Sequence, residues 1–209
     1  MYQNENNFNL IFKHLQKLPK NKKRHLISIV GTPGSGKSTF SNELLKYLAK
    51  KDYKCEVIAM DGFHLDNRIL ESKNLLSRKG SYETFDINGF LSLIKRLQKE
   101  GNILAPLFNR EQDISIAAAV EIKNDLDFII IEGNYLLLNR PTWCKLKEYW
   151  DLSIMLDVDI KEIEKRLLKR WLYYGYTKDE ALKKIKSNDI LNSKEIIENS
   201  LKADIVIKN

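Results

Sequence analysis

An apolar run, HLISIV over residues 25–30, leads directly into Gly31-Thr-Pro-Gly-Ser-Gly36-Lys37-Ser38. The second segment fits the pattern G-x-x-x-x-G-K-[ST]. Few folds can carry such a turn. A strand must precede it and a helix must follow, so that successive backbone N–H groups converge on an anion at the positive end of the helix. Both conditions are met: HLISIV reads as a buried strand, and residues 37–50 have helical spacing. Glycine lets the backbone wrap an anion without side-chain clashes. Gly31, Pro33, Gly34, Ser35, Gly36, Lys37, Ser38 and Thr39 are therefore the candidate nucleotide-binding residues. Lys37 would reach the β- and γ-phosphates and the Ser38 hydroxyl would ligate Mg2+, which makes ATP and Mg2+ the expected cofactors.

Further short apolar runs at 55–60, 128–131, 152–158 and 203–207 read as strands. Their apolar residues are consecutive rather than alternating, as in a parallel sheet covered on both faces. Helical spacing recurs over 8–18, 87–99, 160–173 and 178–187. Residues 103–107 and 120–122 form a small excursion of strands. The expected fold is α/β and doubly wound: a mainly parallel five-stranded sheet with helices on both faces, of the P-loop NTPase kind, with a small helical lid at about 166–182. An amphipathic helix and basic segment over 1–24 precede a domain over 25–209. The leading helix can pack on its own domain or on a second copy, which leaves a homodimer open.

Charge is distributed unevenly. The formal net charge is +7, yet residues 13–24 carry +6 and residues 161–186 carry +5, which leaves −4 for the rest. Two basic regions on a mildly acidic body point to anionic ligands. No apolar run approaches the roughly 18 residues of a membrane span. The N-terminus MYQNENNFNL lacks the basic start, apolar stretch and cleavage site of a signal peptide. Cys55 and Cys144 make no disulfide framework, and His14, His25 and His64 are scattered. A reduced, cytoplasmic protein without structural metal or membrane contact is the expectation.

Two carboxylates close apolar strands. Asp61 follows VIAM and lies 24 residues after Lys37, one helix and one strand away. Parallel strands bring their C-terminal ends to one sheet edge, where ligands bind. With strands about 4.8 Å apart, Asp61 can face a γ-phosphate acceptor even one strand removed. Asp61-Gly62 is also a hairpin signal, but residues 64–76 do not read as a returning strand. Glu132 ends the run FIII and suits a Mg2+ role. Phe63 and His64 follow Asp61 and are candidates to line an acceptor pocket. Arg78 and Tyr82 lie in a loop broken by Gly80, whose aromatic residues could cover a small polar substrate. Arg110 follows Pro106, and Tyr135 lies just past Glu132. Arg166 and Arg170 share a helix face; Arg170 is read as a phosphate-neutralising catalytic group, and Arg166 as a further substrate contact or as the i,i+4 partner of Glu162.

The segments GTPGSGKS, MDGFHLDN, RKGSYETFD, APLFNR, IIIEGNYLLL and RLLKRW, in this order, resemble the phosphoribulokinase, uridine kinase and pantothenate kinase group of P-loop kinases. The nearest look is to its compact bacterial nucleoside-kinase-like or fructose-transport-system kinases. The resemblance runs from about residue 26 to the end of the chain. It implies that Asp61 is the general base, that Glu132 lies near Mg2+ and that the helix at 160–173 leads into a mobile lid. Two departures stand out: Asn109 occupies a place where related kinases carry an acid, and Tyr173 and Tyr174 occupy places where uridine kinases carry arginines.

The expected activity is transfer of the γ-phosphoryl group of ATP to a hydroxyl of a small metabolite: a sugar, nucleoside or pantothenate-like alcohol. Asp61, Lys37 and Arg170 are the catalytic candidates. Guanine-reading N/T-K-x-D is absent, since Thr177-Lys178-Asp179-Glu180 ends in glutamate. The alternative is a P-loop ATPase, or an ATP-binding regulator, that contacts nucleic acid through its basic segments.

Overall fold

A computed structural model describes residues 4–209. Five parallel strands form the central sheet: β1 (His25–Gly31), β2 (Cys55–Ala59), β5 (Phe128–Gly133), β6 (Leu152–Asp157) and β7 (Ile205–Lys208), in the order β2-β5-β1-β6-β7. Alternate residues face opposite sides. Leu26, Val30, Ile129 and Ile131 join Phe90, Ile94, Leu97, Trp143, Leu146 and Ile196 in one core. Ile27, Ile29, Phe128 and Ile130 join Phe8, Ile11, Phe40, Leu44 and Leu48 in the other. This two-sided burial explains why the central strands β1 and β5 read as unbroken apolar runs, whereas β7 at the sheet edge alternates buried and exposed residues.

Helices α1 (Glu5–Leu15) and α2 (Lys37–Ala49) cover one face, and α4 (Ile87–Lys99) and α7 (Ile190–Asn199) the other. Short α3 (Asn67–Ser72) lies between β2 and α4. Residues 101–124 are an antiparallel hairpin of β3 (Ile103–Asn109) and β4 (Ile114–Ile122), outside the main sheet. After β6 come α5 (Ile160–Tyr173), a left-handed turn at Gly175 (φ 85°) and α6 (Lys178–Lys184), which runs through a π-turn, Ile185–Asp189, into α7.

The leading helix spans Glu5–Leu15 rather than 8–18 and packs on its own domain. Pro19 disfavours helical backbone at the residue before it, consistent with the early end. The Phe8 ring is fully buried, with centroids 5.1 Å from Phe40 and 5.5 Å from Tyr47. Phe8→Ala should therefore cost about 3–5 kcal/mol in urea unfolding; a loss below about 1 kcal/mol would show that α1 is not part of the cooperative core.

Part of the basic run is consumed internally. Lys22 pairs with Asp151 at 2.7 Å. Arg24, 1% exposed, donates to the carbonyls of Glu100, Gly101 and Lys123 and ties β1 to the hairpin stem.

Candidate active site

Register sets the site. Glu132 on β5 pairs with Ile29 on β1 and with Ala59 on β2. The Glu132 carboxylate, the turn after β1 and the turn after β2 thus meet at one edge of the sheet, where they open on a cleft of about 830 Å3. Pro33, Gly34, Gly36, Lys37, Ser38 and Thr39 line one end of it.

Within that turn Gly34 and Gly36 adopt φ of 79° and 86°, a conformation that strains other residues. A Cβ at Gly34 would come 3.2 Å from Leu167 of α5. Gly31 and Ser35 support the turn from behind, since neither lines the cleft and Ser35 is fully buried. Lys37 is 8% exposed and donates to the Thr32 carbonyl at 2.9 Å. Burial pulls its pKa down to about 8 against the upward pull of Glu132 and Asp61.

The free protein loses the Lys37 charge as pH rises through about 8, and a bound polyanion would restore it. ATP binding at pH 8.5–9 should take up a proton, detectable as a dependence of calorimetric heat on buffer ionisation, and affinity should fall through this range. Binding without proton uptake and without pH dependence would contradict the assignment of Lys37 to the phosphates.

The Ser38 hydroxyl donates to Glu132 Oε1 at 2.9 Å. Glu132 is 6% exposed. Burial pushes its pKa up, and Asp61 adds to this, while Lys37 and the Ser38 hydrogen bond pull the other way. Mg2+ takes few protein oxygens and completes its shell with water and phosphate. A hydroxyl and a buried carboxylate already in contact beside the glycine turn fit that requirement.

Asp61 sits in the tight turn Met60–Phe63 after β2. No hairpin forms at Asp61-Gly62, as residues 64–76 led one to expect; the β3 backbone lies against the turn, and a Cβ on Gly62 would come 2.6 Å from the Pro106 carbonyl oxygen. This approach delivers Arg110, whose guanidinium pairs with Asp61 Oδ2. Burial opposes ionisation of Asp61, but Arg110, His64 and Lys37 outweigh it and hold the carboxyl below its ordinary range. His64 Nδ1 lies 2.8 Å from the Asp61 carbonyl oxygen, and its ring sits between Phe85 and Phe108 at 4.1 and 4.5 Å. Asn109 caps the hairpin turn: its Oδ1 accepts from the Glu111 and Gln112 amides, each at 3.0 Å.

Arg170 also lines the cleft, with its guanidinium 5.5 Å from the Trp171 ring. Burial pushes its pKa down, as does Arg110, while Asp61 pulls it up. Arg166 lies elsewhere. Its Nε donates to Glu162 at 2.9 Å, and its Nη1 would be 3.8 Å from a Cβ on Gly36, on the outside of the turn.

Four further expectations are corrected. Tyr135 is fully buried and donates from its hydroxyl to the Gly80 carbonyl at 2.8 Å, so it holds the loop from below. Phe63 packs on Phe90 at 5.1 Å, and Tyr82 on Tyr135 at 6.2 Å. Arg78 is fixed by the Ser187 carbonyl, Asn188 and Asn192 at 2.8–3.0 Å. None of these four side chains lines the cleft. Lys79 of the same loop does line it, and among the polar residues there that sequence reasoning missed are Asn67, Asp113, Asn188, Asp189 and Asn192. Lys79 contacts Asn67 at 2.7 Å and Asp113 at 2.8 Å, closing the hairpin tip onto the loop. Asp189 accepts from the Trp171 indole at 2.7 Å and so joins the π-turn to α5. The motif Asn188-Asp189-x-x-Asn192, polar residues on one face of a helix one turn apart, was the available signal.

A sequence profile of the Phosphoribulokinase / Uridine kinase family matches residues 26–209. The chain belongs to that family. Like its relatives, this phosphoribulokinase/uridine kinase family member is an ATP-dependent small-molecule kinase, a phosphotransferase with a hydroxyl acceptor. It is similar to the crystal structure of a "putative fructose transport system kinase" from Silicibacter sp. TM1040, with a TM-score of 0.93 and 40% identity over 99% of this chain and 100% of that one. A "putative uridine kinase" of Schizosaccharomyces pombe is 29% identical over 95% of this chain and 88% of its own. The pantothenate kinase of Streptococcus suis is 32% identical over 70% of this chain; the match spans about half of that enzyme, 49%. Among the described residues no helix of this kinase is long and apolar enough to cross a membrane.

Proposed function

We propose that this kinase phosphorylates a hydroxyl of an uncharged, polyhydroxylated metabolite, with Asp61 orienting the attacking oxygen. The observation that carries the reading is the contact of Ser38 with Glu132 at 2.9 Å beside the glycine turn, with Asp61 on the same cleft. The acceptor O–H would donate to Asp61. As the new O–P bond forms and the bond from the γ-phosphorus to the bridging oxygen of ADP breaks, the proton passes to the carboxylate. Because its pKa is held low, Asp61 acts first by orientation and accepts the proton late. Arg110 engages Oδ2 only, which leaves Oδ1 for the hydroxyl. Mg2+ held by Ser38 and Glu132 would neutralise charge on the β- and γ-phosphates. Lys37 and Arg170 stabilise the moving phosphoryl group, while the turn amides hold the phosphates alike in the ground and transition states. Residues 166–182 serve as a lid that excludes water.

The acceptor's lack of charge follows from how the cations at that end are spent. Lys79 faces Asp113 at 2.8 Å, and Arg110 faces Asp61. Neither is left over for a substrate carboxylate or phosphate, Arg170 is assigned to the phosphoryl group and Lys184 stacks on Trp171 at 4.6 Å, while His64, Asn67 and Phe108 offer hydrogen bonds and an aromatic surface. The test is a coupled ADP-release screen over neutral sugars and nucleosides, set against pantothenate and sugar phosphates, with Asp61→Asn as the blank. Turnover confined to neutral acceptors is expected; selective turnover of the anionic ones would overturn the acceptor class.

A further inference from the structure

We infer that Asn209 is a positioning residue for the phosphate-binding turn. β6 lies between β1 and β7, and the β6–β7 pairing runs to Asp157↔Lys208. The Asn209 N–H continues this ladder by donating to the Asp157 carbonyl at 3.0 Å. The residue after β7 is thereby fixed beside the turn that follows β1. From there its carboxamide Nδ2 donates to the Ser35 carbonyl oxygen at 2.7 Å.

The consequence lies in the peptide between Ser35 and Gly36. A trans peptide is planar, and its C=O and N–H point in opposite directions. Asn209 does not line the cleft, whereas Gly36 does. Holding the Ser35 oxygen outward therefore aims the Gly36 N–H inward, toward the phosphates. The tether matters because Gly36 is left-handed at φ 86° and a glycine-flanked peptide turns over readily. Glycine also makes room for the tether, since a Cβ there would stand 3.0 Å from Asn209 Nδ2. Asn209 thus pre-organises one donor of the turn and lowers the ordering cost of binding.

This inference rests on the reading that the turn holds phosphates, and the experiment separates the two. Binding of ATP and of inorganic tripolyphosphate, which has no base or sugar, is measured on the full chain and on Asn209→Ala and Asn209→Asp. Wild type should bind both ligands. Asn209→Ala should weaken both by the same factor, about five-fold, the size of one neutral hydrogen bond. Asn209→Asp, which turns a carboxylate toward the Ser35 oxygen, should weaken both further. In steady state the KM for ATP should rise by the same factor, with kcat changed less than about two-fold, as for an interaction made equally in ground and transition states. Weakened ATP with unchanged tripolyphosphate would mean that Asn209 touches the nucleoside and would overturn the inference. Unchanged binding of both would overturn it as well. A wild-type protein that bound neither would remove the phosphate-turn reading itself.

Discussion

Asp61→Asn should retain ATP binding within about two-fold and lose phosphoryl transfer by about 10²–10⁴-fold, the range of one general base. The expectation rests on which groups touch what. The proposed triphosphate contacts, Pro33, Gly34 and residues 36–39, line the cleft from the β1 turn, whereas Asp61 lines it from the turn after β2. Asparagine keeps the shape and can still accept a hydrogen bond from the acceptor hydroxyl, but it cannot take the proton. The loss should therefore fall on kcat rather than on the KM for ATP. Arg110 would lose its anionic partner in this variant. An Arg110→Ala control, which leaves the carboxylate in place, distinguishes loss of the base from a displaced guanidinium. Near-normal turnover of Asp61→Asn in the ADP-release assay would remove Asp61 from the mechanism.

Lys37→Met should lower kcat/KM for ATP by about 10²–10³-fold, the size of losing one preorganised donor to developing charge. At the same time the melting temperature should hold or rise. The two effects have a single cause. Lys37 is nearly buried, and burial depresses its pKa to about 8. Below that value the folded state carries a desolvated ammonium that donates to the Thr32 carbonyl. Replacing it with an apolar chain of similar length removes a cost of folding together with a catalytic charge, the familiar trade of stability against function. The sign follows from linkage: a cation whose folded pKa is depressed gives a folded state that gains stability as pH rises from about 8 toward the ordinary lysine range. The wild-type melting temperature should rise over that window, and that part of the rise should vanish in Lys37→Met. A clear fall in melting temperature on substitution would show that the lysine is held by interactions stronger than the cost of burying it.

The sheet and the phosphate turn were legible because both write local signals: five apolar runs, and a glycine motif between a strand and a helix. The acids at the strand tips were legible for the same reason, since register converts strand ends into one edge. Legibility failed where sequence adjacency stood in for direction. Phe63 and Tyr135 follow strand tips closely, yet their side chains turn into the core, against Phe90 and under Gly80. Arg78 carries charge beside the cleft but is used up on Asn188 and Asn192. Those two asparagines and Asp189 are 3–7% exposed on the inner face of the last helical stretch. Because the buried positions there are polar, hydrophobic periodicity could not reveal the extent of that stretch. The hairpin was only partly visible, since nearly all of β4 is exposed and lacks the alternation of a half-buried strand. The ring of Lys79, Asn67 and Asp113 brings together residues 12, 34 and 46 positions apart in the chain, and no local pattern announces such a contact.

The central claim is spatial, and a crystal structure with Mg2+ and a nonhydrolysable ATP analogue measures it directly. The terminal phosphorus should lie between Lys37 Nζ and Asp61, with Mg2+ on the Ser38 and Glu132 oxygens and room for an acceptor oxygen about 2.6–3.2 Å from Asp61 Oδ1. A triphosphate bound anywhere other than the turn at residues 31–38 would contradict it. So would one seated there with Asp61 on the far side of the protein from its terminal phosphate.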